Sequence, residues 1–176
     1  TKGSTPRKSD ILNAIDEKTI CFIKVKDISN SGEINRSSLG LIPQSVHQGV
    51  LKRSVLKEDD LLFSIAGTIG RVAIVDADLN DSNTNQAVGI IRLSEKSKYL
   101  GLVWNMLQSN RVQNDINSKL VQGVQANASL TNLKDILVIL PSDSLLSNWN
   151  IATGKMILES RNRKAESRNL TLLRDT

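Results

Sequence analysis

The sequence predicts an α+β fold, in which a mixed, strand-rich domain with one or two packed helices precedes a long C-terminal helical arm. Three observations support this prediction. Residues 59–93 contain three short apolar runs of strand character, separated by glycine-containing or polar turns. Residues 99–120 change to helical spacing, and residues 145–174 contain no proline and a single glycine. We therefore place the domain at residues 1–144 and the arm at residues 145–176.

The composition is that of one globular domain with room for a hydrophobic core. The chain has 176 residues, of which 39% are hydrophobic and 23% are charged. No apolar run approaches the roughly 20 residues that span a bilayer, and we expect no secretory leader. The single cysteine, Cys21, suits a reducing cytoplasm and is expected to be a buried, inert thiol in a strand. The sequence thus predicts a cytoplasmic protein without a membrane partner.

The net charge of +5 is distributed unevenly along the chain. Residues 1–58 carry a net +4, residues 59–149 carry −2, and residues 150–176 carry +3. This balance permits an acidic partner without establishing one, and a DNA-binding face would draw mainly on the first third. An aromatic content of 3% argues against a stacking platform for single-stranded nucleic acid.

The first third predicts one strand followed by loops. Residues 20–25 are the strand candidate, and a period of two would place Lys24 and Lys26 on one of its faces. Residues 30–40 are rich in Ser, Asn and Gly, which is typical of a loop. His47, the only histidine, has no Cys or carboxylate neighbours at ligand spacing, so we favour a surface position over a metal site, with a DNA contact as the alternative.

The three strands predicted within residues 59–93 are the centre of the domain. In residues 61–65 large apolar side chains alternate with smaller ones, as in a strand that buries one face. Gly67 and Gly70 lie between this run and the next, where they allow positive φ and close approach of another backbone. A polar loop at residues 76–83 then leads to the third run.

The second half of the chain predicts helices and one more strand. Residues 99–120 form one helix or two shorter ones, with Ser94 or Ser97 as the N-cap. Residues 136–140 are expected to be a buried strand that Pro141 ends. The middle of the arm is polar on all sides, so that this helix either projects or pairs with another.

The sequence contains no catalytic constellation. Only three prolines are present and none are adjacent, so the Pro-Pro element that holds a flipped adenine in amino-methyltransferases is absent. One histidine excludes His-metal nuclease sites, and residues 67–70 lack the Lys-Ser/Thr ending of a nucleotide-binding phosphate loop. We therefore expect no enzyme activity, no cofactor and no metal.

A run of motifs resembles the target recognition domain of type I restriction-modification specificity subunits. Residues 60–73 read DLLFSIAGTIGRVA and residues 84–88 read TNQAV. They are similar to that family's D-(I/L)-L-(F/I)-S-x-x-G-(T/S)-I-G-(K/R)-x-A run and its N-Q-(A/G) element. GSTP at residues 3–6 and FIKVKDI at residues 22–28 resemble the opening motifs, with Phe22 where the family usually has Trp.

The closing motif of the family also has a counterpart, in residues 123–141. The resemblance implies sequence-specific recognition of double-stranded DNA, directing methyltransferase and restriction subunits to their target. In the family a helical arm separates two recognition domains and docks methyltransferase subunits. Here there is one domain and one arm, which implies a fragment or a half-length subunit whose arm forms a homodimer.

Two other interpretations remain open. The chain could be a protein-interaction module that docks methyltransferase subunits through its arm and has little affinity for DNA. It could also be the recognition part of a fused restriction–methylation enzyme, which would bind DNA in the same way but have a different partner.

The candidate DNA-contacting residues follow from the resemblance and from side-chain chemistry. A glycine turn exposes backbone N–H groups and arginine supplies charge, so Thr68, Gly70 and Arg71 are predicted near the DNA backbone, with a surface ion pair as the alternative for Arg71. Glutamine and asparagine can read adenine through two hydrogen bonds. The remaining candidates are Lys24, Lys26, Lys52 and Arg53 as cations near phosphates, and Arg36, His47, Gln122, Gln125 and Asn127 as base readers.

Overall fold

Six short strands form two three-stranded sheets. The structure is a computed structural model that describes residues 1–12, 18–122, 128 and 130–174. The strands are β1 (Thr19–Ile23), β2 (Gly40–Pro43), β3 (Leu61–Ser64), β4 (Val72–Ile74), β5 (Asn83–Thr84) and β6 (Val88–Ile91). The first sheet has the order β2-β1-β5 and the second β4-β3-β6. β1 runs antiparallel to β2 and parallel to β5, whereas β3 is antiparallel to both of its neighbours.

Helices pack against both sheets. They are α1 (Lys8–Leu12), α2 (Gln44–Gln48), α3 (Lys96–Gln108), α4 (Asn110–Gln122), α5 (Leu130–Lys134) and α6 (Asp143–Arg174). Among the described residues, none of these helices is both long and apolar enough to cross a membrane. The α+β prediction, with a long C-terminal helix, is confirmed.

Three clusters of buried side chains hold these layers together. A shared core contains Ile23 of β1 together with Leu62 of β3, so it joins the two sheets. Phe22 of β1 instead packs with Val46 of α2 on the outer face of the first sheet. Leu61 and Phe63 belong to a third cluster with residues of α3 and α4. The alternation along each central strand therefore sends successive side chains to different cores.

The expectation that residues 61–65 bury only one face is wrong. All four residues of β3 are buried, because a sheet covers one face and a helical layer covers the other. Cys21 is only partly buried, against the edge of the shared core, so its expected full burial is also wrong.

The glycine turn between β3 and β4 has the predicted backbone. Gly67 and Gly70 have φ of +73° and +89°. The Ser64 and Gly70 N–H groups bond to the carbonyls of Arg71 and Ser64 at 2.9 and 3.0 Å, and the Ser64 hydroxyl accepts from the Arg71 N–H at 2.8 Å. A Cβ at Gly70 would lie 2.3 Å from the Gln113 Oε1, so helix α4 approaches this turn closely.

The predicted buried strand at residues 136–140 is wrong. The segment is irregular, and Leu137 and Ile139 are 76% and 68% exposed. The outer edge of β6 is already occupied, since Thr1 exchanges two backbone hydrogen bonds with Ile90 at 3.0 and 2.8 Å. Residues 136–140 therefore cannot extend this sheet at β6.

The helical region follows the two-helix alternative. α3 and α4 meet at Ser109, whose N–H and hydroxyl both donate to the Met106 carbonyl. The predicted serine N-cap is wrong, because Glu95 occupies that position without a side-chain hydrogen bond.

The first part of α6 packs on the domain. Gly101 of α3 permits this contact, since a Cβ there would lie 2.5 Å from the Thr153 Oγ1. Arg161 adds to this contact by donating to the Asp59 carboxylate at 2.7 Å and lying 3.2 Å from that of Asp76. The prediction that this helix projects or pairs thus needs refinement: its first part docks on the domain, while Leu170 near its C-terminus is exposed.

Candidate nucleic-acid interface

The glycine turn forms one wall of a polar surface crevice of about 280 Å³. Thr68, Gly70 and Arg71 line it from the turn, and Thr68 is exposed. Three residues that sequence reasoning missed, Asn30, Gln108 and Gln113, line it from other elements. The structure therefore brings the three predicted turn residues together with amide side chains distant in sequence.

Among the described residues, Arg71 does not form the surface ion pair that was the alternative to a DNA contact. Its Nε donates to the Asn30 Oδ1 at 3.0 Å, and its Nη1 donates to the carbonyls of Ile28 and Val25 at 2.7 and 3.2 Å. These bonds connect the glycine turn to residues 25–30, and their acceptors are an amide oxygen and two backbone carbonyls rather than a carboxylate. Of the five N–H groups of this guanidinium, the two on Nη2 lack a protein acceptor among the described residues.

Arg36, a predicted base reader, is held by two carboxylates. Its guanidinium lies 2.7 Å from Asp76 and 2.8 Å from Asp78, and it also donates to the Ile34 carbonyl at 2.7 Å. Burial opposes the charge, but hydrogen bonds with Asp78 and Asp76 outweigh it and raise the pKa of Arg36 above its ordinary value. Arg36 would have to leave these partners to read a base.

The surface position predicted for His47 is wrong. The imidazole is 6% exposed, and its Nδ1 lies 2.5 Å from the Asn83 Oδ1. Asn83 donates to the Leu51 carbonyl at 3.1 Å, so its Oδ1 accepts from a protonated Nδ1. The cause is the segment at residues 76–83, predicted as a polar loop, which returns as strand β5 beside β1 and brings Asn83 inside. No group of three or more metal-ligating side chains occurs in the part of the chain that the structure describes.

The predicted cations occupy two surfaces. β1 ends at Ile23, and the Asp27 carboxylate accepts from the Lys24 N–H at 2.8 Å to begin a 3₁₀ turn, so the expectation that Lys24 and Lys26 share a strand face is wrong. The Lys24 Nζ lies 5.9 Å from the centre of the Phe22 ring, and the Lys26 side chain is exposed.

The second surface is the 3₁₀ turn Lys52–Ser54. Both Lys52 and Arg53 are exposed there, and neither forms an ion pair with any residue within the described ranges. Such cations keep their charge available to an outside partner.

Three predicted base readers lie at the C-terminus of α4 or after it. Gln122 is the last residue of that helix, and its side chain is not among the described parts of the structure. Gln125 and Asn127 lie outside the described residues.

The family described as the Type I restriction modification DNA specificity domain matches residues 1–145. The chain belongs to this family. A relative within it is the Type I restriction enzyme EcoBI specificity subunit of Escherichia coli, which is 32% identical over 125 residues, covering 69% of this chain and 25% of that protein. The resemblance to specificity subunits is thereby confirmed, and DNA target recognition in type I restriction-modification is the role of the family.

Solved structures of other proteins share the fold of this chain. The HsdS subunit from Thermoanaerobacter tengcongensis superposes with a TM-score of 0.61 at 18% identity, covering 97% of this chain and 45% of that one. A chain from a structure of the assembly and conformational transition of the type I R-M system superposes with a TM-score of 0.60 at 17% identity. The match covers 98% of this chain and 44% of that one. This chain therefore spans less than half the length of these relatives.

The residues missed by sequence reasoning carried no local signal. Asn30 is 41 positions from Arg71 and lies in a segment that predicted only a loop. Gln113, whose Nε2 donates to the Gly70 carbonyl at 3.0 Å, belongs to a helix predicted for its apolar spacing alone. In this specificity domain the crevice is assembled from three distant segments.

Proposed function

We propose that this chain recognises a specific sequence in double-stranded DNA as the specificity subunit, or half of one, of a type I restriction-modification complex in the cytoplasm. It would be non-catalytic itself and would direct the methyltransferase and restriction subunits to their target. The observation that carries the proposal is the match to the DNA specificity domain over residues 1–145. One structural relative belongs to a structure of complex assembly in the type I R-M system, which supports partnership with such subunits.

The arrangement of arginines and lysines supports a duplex partner. Arg36, Arg92 and Arg161 are paired with carboxylates of the domain. Lys52 and Arg53 are exposed and free of ion pairs within the described residues, which suits contacts to phosphates. We assign these two residues, with Lys26, to sequence-independent contacts with phosphates, and Thr68, Gly70 and Arg71 in the crevice to contacts near the DNA backbone.

A second surface supports the protein partners. The exposed apolar run at residues 137–140 continues into α6, where Trp149, Met156 and Leu170 are also exposed. A run of consecutive exposed apolar residues is typical of a protein interface. We propose that residues 145–176 act as an arm that docks methyltransferase subunits or a second copy of the chain, whose two-fold arrangement would supply the other recognition half.

DNA binding can be tested with random-sequence duplex of roughly 30 bp at salt from about 50 to 200 mM. The wild-type chain should bind with an affinity that falls steeply with salt. The double substitution Lys52→Ala/Arg53→Ala should flatten the log–log salt slope by about 2, because each lost phosphate contact removes about 0.9. The matched control Lys155→Ala/Lys164→Ala, on the arm, should keep the wild-type slope.

The second candidate function is an interaction scaffold without useful DNA affinity, which the exposed apolar surface of α6 favours. It would be supported if the wild-type chain fails to bind duplex at the lowest salt, and DNA recognition by this chain alone would then be rejected. Light scattering tests the arm directly: Met156→Glu/Leu170→Glu should convert any dimer to monomer without changing the unfolding midpoint.

A further inference from the structure

The orientation of the Asn30 amide is determined by Arg71. The Arg71 Nε can only donate, so the oxygen of the Asn30 side chain must face it, at 3.0 Å. The Asn30 NH₂ group consequently points away from the arginine. Because Asn30 is exposed, its two N–H donors face solvent at the rim of the crevice.

The turn that carries Asn30 is rigid. The Ser29 N–H donates to the Glu33 carbonyl at 2.8 Å, and the Ser29 hydroxyl accepts from the Glu33 N–H at 2.9 Å. Ile28 and Ile34 form a β-bridge at its base, and both are buried in the shared core. Gly32 has φ +79°, and a Cβ there would lie 2.6 Å from the Val72 carbonyl oxygen, so the turn packs closely against β4. A donor held in this way loses little conformational entropy when it binds.

The neighbours of Asn30 in the crevice select the chemistry of a ligand. Thr68 contributes a hydroxyl and Arg71 contributes the two N–H groups of Nη2. Among the described residues, none that lines the crevice is a carboxylate. The site therefore offers hydrogen-bond donors and a positive charge, which fits a ligand that presents acceptor atoms.

We propose that Asn30 is a DNA-contacting residue of this domain, whose pre-oriented amide donates to an acceptor on duplex DNA. This inference rests on the proposed function and adds to it a residue that the motifs of the chain do not mark. The acceptor is a phosphate oxygen or the edge of a base, both of which can accept from an amide N–H.

The substitution Asn30→Asp separates the two roles of this side chain. The aspartate keeps an oxygen for the Arg71 Nε, so the turn should remain folded, but the NH₂ donors are replaced by an acceptor. We expect affinity for random-sequence duplex to fall by about tenfold or more. The matched control Asn148→Asp, exposed on α6, adds the same charge and should leave affinity within about twofold of wild type.

Asn30→Ala distinguishes loss of the amide's hydrogen bond to DNA from repulsion between the new aspartate and the phosphates. If the amide donates to DNA, Asn30→Ala also weakens binding, whereas an effect of charge alone appears only in Asn30→Asp. Wild-type binding by Asn30→Ala, or equal binding by Asn30→Asp and Asn148→Asp, would overturn the inference. Absence of duplex binding by the wild-type chain would instead reject the proposed function, and this inference with it.

Selection from a random duplex library identifies the acceptor. If Asn30 contacts a phosphate, wild type and Asn30→Ala should enrich the same sequences with uniformly lower affinity for the variant. If Asn30 reads a base, the variant should lose its preference at one position of the enriched sequence.

Discussion

Two apolar tetrapeptides of this chain, LLFS in β3 and LVIL at residues 137–140, have opposite environments. Leu61, Leu62 and Phe63 are at most 1% exposed, whereas residues 137–140 are 46% to 76% exposed. The second segment is the more apolar of the two. Hydrophobicity therefore did not decide which became a strand.

The difference lies in the partners available to each segment. β3 has β4 and β6 hydrogen-bonded on either side, with apolar clusters above and below. Residues 137–140 lie between α5 and Pro141, while residues 1–3 occupy the outer edge of β6. A strand needs an unoccupied edge as well as an apolar sequence.

The largest expected effect on stability is in β3, the buried one of the two segments. Phe63→Ala should lower the free energy of unfolding by about 3–5 kcal/mol, because it removes a fully buried ring and leaves a cavity beside α3 and α4. Urea unfolding followed by circular dichroism measures this loss. A loss below about 1 kcal/mol would mean that β3 is not packed on both faces.

An intermediate effect is expected at the charged residue that precedes β3. Asp60 is fully buried. Its carboxylate accepts hydrogen bonds from the Lys57 N–H and from the Arg92 Nε, both at 2.8 Å. Asp60→Ala removes the buried acceptor of the Lys57 N–H and of Arg92 and should cost about 2–3 kcal/mol in unfolding free energy.

The matched control for Asp60 is Asp135→Ala, just before the exposed segment. Asp135 is exposed, and its substitution should change the unfolding free energy by no more than about 0.5 kcal/mol. Equal effects of the two substitutions would show that the pairing of Asp60 with Arg92 does not position β3.

The smallest effect on stability is expected at the exposed segment itself. Leu137→Ser/Ile139→Ser should leave the unfolding free energy of the isolated chain within about 0.5 kcal/mol of wild type, because both side chains are already in water. The same variant should reduce association with methyltransferase subunits, measured by co-purification, if this run is part of the partner surface. A stability loss above about 1 kcal/mol would show that the segment packs on its own domain.

Prediction of the candidate site from sequence was partial for a related reason. The motif around Thr68 and Arg71 indicated the turn, and its glycines indicated positive φ, since both signals are local. The environment of Arg71 depends on Val25, Ile28 and Asn30, which no local pattern connects to it. His47 was misplaced for the same reason, because its partner Asn83 is 36 positions away.

The sequence by itself determined the α+β class, the three central strands, the two consecutive helices and the family, because each depends on periodicity or on ordered short motifs. Only the tertiary structure decided that β3 is covered on both faces, that residues 137–140 remain outside, and that Asn30 faces the crevice with its donors outward. Burial and side-chain orientation depend on which distant segments occupy the neighbouring space, and that competition has no counterpart in the local pattern of residues.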